Sequence, residues 1–225
     1  MAVITDWYAW HDAYDDPRTG LAKRLVIVQD RIRAALDEAP PGPLRAISLC
    51  AGQGSDLIGV LASHPRRRDV TARLVELDPR NTAVARRLAA DAGLPDVEVV
   101  TGDASLTSQY ADMVPADLVV VCGLFGNLTH ADIEATAGYC TQLCATGGTV
   151  VWTRGQWADD DLAPQVSAWF EERGFERVWM SHDPDPNFHH RIGAHRFTGT
   201  PVPLEDASMF TFIGHSVDKG PPRTP

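Results

Sequence analysis

Three short stretches of the chain carry glycines and carboxylates at the ends of apolar runs. Gly52 and Gly54 close Ile47-Ser48-Leu49-Cys50-Ala51, Asp78 and Pro79 follow Val75-Glu76-Leu77, and Asp103 and Ala104 follow Val99-Val100-Thr101-Gly102. A Gly-x-Gly turn after a first strand lets the backbone approach a ligand, because a side chain there would collide with it. An acidic residue about 20 positions on, at the end of the second strand, is placed to accept hydrogen bonds from ribose hydroxyls. Asp78 stands 24 positions after Gly54. Asp103, at the third strand end, can accept from an adenine amino group. Taken singly, the glycines also suit an ordinary strand-to-helix turn, and Asp78 or Asp103 an N-terminal helix cap. Three consecutive strand ends in register point to a nucleoside.

The departures narrow the ligand. A dinucleotide fold completes G-x-G-x-x-G, its third glycine allowing close helix packing and its helix N-terminus meeting pyrophosphate; here that position is Leu57. No Gly-Lys-Ser/Thr phosphate loop is present either. Ribose and adenine without phosphate indicate S-adenosylmethionine.

These residues need a sheet to hold them, and the punctuation supplies one. Residues 21–39 place Leu21, Leu25, Val28, Ile32, Ala35 and Leu36 at helical spacing, and Pro40-Pro41-Gly42-Pro43 ends that helix. Strands are expected at 45–50, 71–77, 97–101, 117–122, 148–153 and 175–180. Helices are expected at 55–63, 81–92, 106–113, 131–144 and 161–173. Alternation of this kind implies an α/β, Rossmann-like doubly wound sheet, mostly parallel and covered on both faces. Beyond Met180 the alternation fails. Two strand-like pieces, 192–197 and 208–213, suggest one antiparallel C-terminal strand. Residues 1–43 read as an N-terminal helical cap with the first helix, 44–214 as the ligand-binding domain and 215–225 as a flexible tail. Arg66-Arg67-Arg68 reads as a solvated loop rather than an anion site.

Composition sets the class. The 225 residues are 44% hydrophobic and 22% charged, which suits one globular domain. A formal charge of −10 opposes nucleic acid and anionic membranes as partners. Cys50, Cys122, Cys140 and Cys144 show no zinc spacing and read as buried thiols. The acidic, aromatic N-terminus lacks the features of a signal peptide, and no stretch approaches the roughly 18 apolar residues of a membrane span. A cytoplasmic protein is expected.

The whole pattern resembles the class I S-adenosylmethionine-dependent methyltransferases. ISLCAGQGSD is similar to that family's first motif, LVELDPRN to its second and VEVVTGDA to its third, while ADLVVVCGLFGN and GGTVVWTRG fall where the family places its fourth and fifth strands. The LCAGQG and CGLFGN stretches also resemble small uncharacterised bacterial methyltransferases. The resemblance implies that Ala51, Gly52, Gln53 and Gly54 surround the methionine part, Asp78 and Pro79 the ribose, Asp103 and Ala104 the adenine, and Cys122 and Gly123 the sulfonium. It also implies an acceptor bound under the N-terminal cap and against the loops after strands four and five. Trp7, Tyr8, Trp10, His11 and Tyr14 in the cap, Phe125 and Asn127 after strand four, and Trp152 and Arg154 after strand five are the candidates there. The cap aromatics could support a positively charged methyl group or simply staple the segment to the core. They could also cover a homodimer interface.

For a general base, His11 comes first and His189 second. Thr129 could cap a helix together with Asp132, leaving His130 on its surface. His189, His190 and His195, with Asp183 and Asp185, have irregular spacing that favours structural roles over a metal site. Within the resemblance, Cys122-Gly123 stands where the metal-dependent branch carries an Asp, and Gly-Leu-Phe-Gly-Asn replaces the DNA amino-methyltransferase signature. The expected activity is in-line methyl transfer to a nitrogen or oxygen of a small-molecule acceptor, without metal. Aminocarboxypropyl transfer, cyclisation, or a non-catalytic scaffold of the same fold are the rival readings.

Overall fold

The computed structural model describes residues 5–155, 161–181 and 188–214. The cap opens with a short helix α1 (Trp7–Trp10) and a 3-10 turn (His11–Tyr14), then α2 (Gly20–Glu38). Thr19 caps α2, accepting the Ala22 N–H at 3.1 Å. Val28, Ile32 and Leu36, spaced four apart, bury one face of it. There follow β1 (Leu44–Leu49), α3 (Leu57–Leu61), β2 (Val70–Glu76), α4 (Pro79–Asp91), β3 (Val97–Thr101) and β4 (Ala116–Val121). The chain continues through α5 (His130–Leu143), β5 (Cys144–Gly155), α6 (Ala163–Glu171), β6 (Phe175–Met180) and β7 (His190–Phe197).

Seven strands form one sheet in the order β3-β2-β1-β4-β5-β7-β6. β1 pairs in parallel with both β2 and β4, and β4 with β5. β7 runs antiparallel between β5 and β6, as the strand-like piece 192–197 implied. Strand order reverses between β1 and β4, and ligands of open α/β sheets bind at such a crevice, beyond the carboxyl ends of the strands.

Both faces are covered, so the central strands β1 and β4 are almost wholly buried, whereas β3 and β6 at the sheet edges keep exposed residues. Alternation along β4 divides the apolar residues: Val119 and Val121 enter one core with Ile47, Leu49, Trp152 and Phe170. Leu118 and Val120 enter the other, with Ala46, Leu57, Ile32 and Val151.

Three expectations need correction. The helix at 106–113 is only a 3-10 turn, Thr107–Tyr110. The Thr107 N–H donates to the Ala207 carbonyl at 3.0 Å and its hydroxyl to the Glu205 carbonyl at 2.6 Å, so the backbone is committed to the C-terminal segment. The piece 208–213 is not a strand of the sheet. It makes one isolated bridge, Leu106 to Ser208, and crosses the strand ends as a strap, with Met209 N–H on the Ser105 carbonyl and Ile213 N–H on the Asn127 carbonyl. Arg66 is not solvated. Its guanidinium donates to the carbonyls of Leu36, Ala39, Pro40 and Gly42, closing the C-terminus of α2. Thr129 does cap α5, accepting the Asp132 N–H at 3.1 Å.

Candidate functional site

The ends of β1 to β4 open into one cavity of about 480 Å³, roofed by the cap and by the strap. After β1 the chain turns through Cys50, Gly52 and Gly54, with φ of 49°, 56° and 73°. Only glycine takes that region without cost, so Cys50 is the strained member of the three. Gly52 also has no room for more: a Cβ there would stand 2.3 Å from His11 Nε2. The cap histidine thus rests directly on the glycine turn.

Glu76, the last residue of β2, ties this turn to the next. One carboxylate oxygen accepts the Gly52 N–H and the other the Asp78 N–H, each at 2.9 Å. Its side chain lines the cavity and retains lone pairs, since a carboxylate offers about four acceptor sites. Asp78 lines the cavity too, but as the cap of α4. It accepts the Arg80 N–H at 2.8 Å, and the Arg80 guanidinium beside it holds its carboxyl below the usual range. Arg80 also reaches Asp6 of the cap at 2.8 Å and lies over the Tyr8 ring, joining the cap to the sheet edge. At the third strand end Asp103 and Ala104 both line the cavity, and Asp103 accepts the Ser105 N–H at 2.9 Å.

At the fourth, the Gly123 N–H donates to the Thr153 hydroxyl at 2.8 Å, and the Asn127 amide donates to the Gly123 carbonyl at 2.9 Å. Gly123, Cys122 and Asn127 are all lining residues. Burial pushes the Cys122 and Cys50 thiols up, so neither is a thiolate at neutral pH.

The cap supplies Trp7, Trp10, His11 and Tyr14, and the strap supplies Phe210 and Phe212. Trp7 meets Trp10 and Phe212 edge-on, with centroids 5.9 and 5.7 Å apart, so cap and strap close on one another. His11 donates from Nδ1 to the Trp7 carbonyl at 2.6 Å, and its Nε2 accepts a long 3.4 Å contact from the Gln53 N–H. Burial lowers its pKa and keeps the ring neutral with the Nε2 lone pair directed at the glycine turn.

The structure therefore gathers Ala51, Gly52, Asp78, Asp103, Ala104, Cys122, Gly123, Trp7, Trp10, His11, Tyr14 and Asn127 at one cavity. It does not gather the rest. Gln53, Gly54 and Pro79 are not among the lining residues: Gln53 is half-buried, a Cβ on Gly54 would strike Ile58 and Leu74, and Pro79 is exposed at the start of α4. His189 is exposed and away from the cavity, and His195 is fully buried in the core. Asp183 and Asp185 fall outside the described residues; among those described, no three His, Cys, Asp or Glu side chains are grouped to hold a metal.

Phe125, Trp152 and Arg154 require correction as acceptor contacts: all three are buried behind the strand ends. Trp152 stacks on Phe170 and donates from its indole to His195 at 3.1 Å. In exchange the cavity contains Glu76, Arg24, Asp56, Phe210 and Phe212, which the spacing argument passed over. Glu76 was legible as the last carboxylate of an apolar run; the others come together only in three dimensions.

No protein-family model and no curated protein matches the sequence. Solved structures do match the fold. The carbon methyltransferase of CurJ superposes with a TM-score of 0.63 at 17% identity, over 78% of this chain and 54% of that one, so the chain spans about half its length. The 1,6-didemethyltoxoflavin-N1-methyltransferase of Burkholderia thailandensis, with bound 1,6-didemethyltoxoflavin and S-adenosylhomocysteine, has a TM-score of 0.61 at 15% identity over 86% and 87%. The magnesium protoporphyrin IX methyltransferase ChlM of Synechocystis PCC 6803, with bound S-adenosylmethionine, has 0.58 at 12% over 88% and 100%. The fold of this chain, with its 3-2-1-4-5-7-6 sheet, is the one it shares with these methyltransferase structures.

Proposed function

We propose that the chain is an S-adenosylmethionine-dependent methyltransferase acting on a nitrogen or oxygen of a small-molecule acceptor. The observation that carries this reading is the convergence of Gly52, Glu76, Asp103 and Gly123, from four neighbouring strand ends, on one cavity under an aromatic roof. The residues fit the cofactor. Glu76 receives the ribose hydroxyls in place of Asp78, whose oxygens Arg80 already engages. Asp103 and Ala104 take the adenine edge, and the glycine turn admits the close approach of the rest.

When bound, S-adenosylmethionine supplies an electrophilic methyl group on its sulfonium. The protein's part is positioning: cap and strap hold the acceptor against the strand ends and exclude water, which can supply much of the acceleration without a covalent intermediate. The aromatic face of Trp7 favours a cation beside it, while the Trp10 and Tyr14 rings already meet the Arg24 guanidinium. His11, neutral and at the cavity wall, is the candidate to take a proton from an acceptor that arrives protonated, its Nε2 lone pair exchanging the long Gln53 N–H contact for that proton.

The small acceptor suits the cavity's size. The charge of −10 supports an acceptor other than nucleic acid. Among the described residues no helix is long and apolar enough to cross a membrane. The four cysteines are unpaired, which supports a reducing, cytoplasmic setting. Incubation with S-adenosylmethionine and an acceptor library, followed by product mass, tests the reading. S-adenosylhomocysteine with an acceptor gaining one methyl is expected. Methylthioadenosine as the sole nucleoside product would instead assign aminocarboxypropyl transfer or cyclisation.

A further inference from the structure

Asn127, which ends the 3-10 turn Phe125–Asn127 after β4, is 2% exposed and lines the cavity together with Gly123. Its other polar groups are engaged. The backbone N–H donates to the Leu124 carbonyl at 2.8 Å, the backbone carbonyl accepts the Ile213 N–H of the strap at 2.9 Å, and the side-chain amide donates to the Gly123 carbonyl at 2.9 Å. That last bond fixes which end of the amide meets Gly123, because a carbonyl only accepts. Oδ1 is left over. Among the described residues it is the one buried polar side-chain atom without a hydrogen bond that belongs to a residue of the cavity wall.

A buried carbonyl without a donor is costly, and the chain itself supplies none here. The surroundings say what kind of donor fits. The Ile213 bond ties the strap to Asn127, and the strap's Phe210 and Phe212 wall the cavity with Trp7, which meets Phe212 edge-on at 5.7 Å. Such rings favour an aromatic occupant. An amide oxygen accepts a hydrogen bond but is no base at neutral pH. A hydroxyl nucleophile has to surrender its only proton, which Asn127 cannot take. An aromatic amine is neutral, attacks with its lone pair and keeps an N–H on Oδ1 throughout.

We propose that Asn127 Oδ1 accepts an N–H of the nucleophilic nitrogen, and that the acceptor is an aromatic amine. The inference rests on the methyltransferase reading given above and narrows it to nitrogen. The nitrogen lone pair forms the bond to the methyl carbon, the carbon–sulfur bond breaks with its pair left on sulfur, and the nitrogen, now cationic, afterwards releases one proton to water. Positive charge growing on that nitrogen strengthens its hydrogen bond to Oδ1 in the transition state, so the contact acts on turnover more than on binding.

Naphthylamine, naphthol and dimethylaminonaphthalene share a ring system and differ at the nucleophile. Each is titrated into S-adenosylhomocysteine-saturated wild type and Asn127→Ser, and methyl transfer from S-adenosylmethionine is followed by product mass. Wild type is expected to bind naphthylamine about threefold or more tightly than dimethylaminonaphthalene and to methylate it about tenfold or more faster than naphthol. In Asn127→Ser, kcat on naphthylamine falls about tenfold to a hundredfold, KM changes about threefold, and the preference over naphthol shrinks. Equal slowing on naphthylamine and naphthol marks a structural residue and overturns the proposal. So does naphthol methylated as fast as naphthylamine by wild type, or naphthylamine that fails to bind the loaded protein. Should Asn127→Ser not fold, the three compounds in wild type decide by themselves. Wild type that binds no S-adenosylhomocysteine would instead remove the methyltransferase reading.

Discussion

At the scale of single residues, burial decides what each polar group can do. His195 is enclosed, accepting the Trp152 indole N–H at Nδ1 and meeting the Ser167 hydroxyl at 3.0 Å through Nε2, while Ser167 donates to Glu171 at 2.8 Å. Each donor has one acceptor only if the ring is neutral, and burial brings its pKa from 6.5 down to about 4. The unfolded chain therefore binds the proton first as pH falls. The stabilisation is whole above 6.5 and is lost on the way down to about 4, at a cost of at most about 3 kcal/mol for this group. Urea unfolding across that window is expected to show wild type losing stability and His195→Gln, whose amide has an acceptor and a donor but does not titrate, showing a shallower slope; identical slopes would contradict this. His190, also held to about 4, preserves part of the slope in the variant. The same enclosure explains what spacing misjudged. Trp152 and Arg154 belong to a strand with seven successive buried residues before its half-buried last one, where aromatic and charged types look like site residues but pack inward. Asp78 was legible as a carboxylate near the second strand's end, yet the strand stops at Glu76, and the Pro79 that follows marks Asp78 as a helix cap.

At the scale of elements, periodicity and Gly/Pro punctuation located all seven strands and most helices, because buried parallel strands and amphipathic helices carry strong local signals. The misses are segments whose backbone partners are distant in sequence. Thr107 bonds carbonyls about a hundred residues away, which no local window contains, and so 106–113 does not become a helix nor 208–213 a strand. Arg66 is a similar case. It stands in a His-Pro-Arg run that reads as surface, but it gathers four carbonyls at the end of α2, the helix that presents Arg24 to the cavity. Arg66→Ala is expected to destabilise the protein by about 1–3 kcal/mol, read as a shift in the denaturation midpoint at unchanged m-value. A change below the error of the fit would show that water replaces the arginine at those carbonyls.

At the scale of the molecule, the sheet reverses its order between β1 and β4, and everything the chain offers a ligand converges beyond that point. Cap and strap, from opposite ends of the described chain, complete the enclosure through the contact of Trp7 with Phe212 and the link from Arg80 to Asp6. The cofactor's nucleoside half is accordingly expected to be held at Glu76 and Asp103, with Asp78 serving the helix. Calorimetric titration of S-adenosylhomocysteine into wild type, Glu76→Gln and Asp78→Asn tests this most directly. Saturable binding to wild type is predicted, about tenfold or more weaker in Glu76→Gln and nearly unchanged in Asp78→Asn. Binding by Glu76→Gln as tight as wild type, or none by well-folded wild type, would contradict the account.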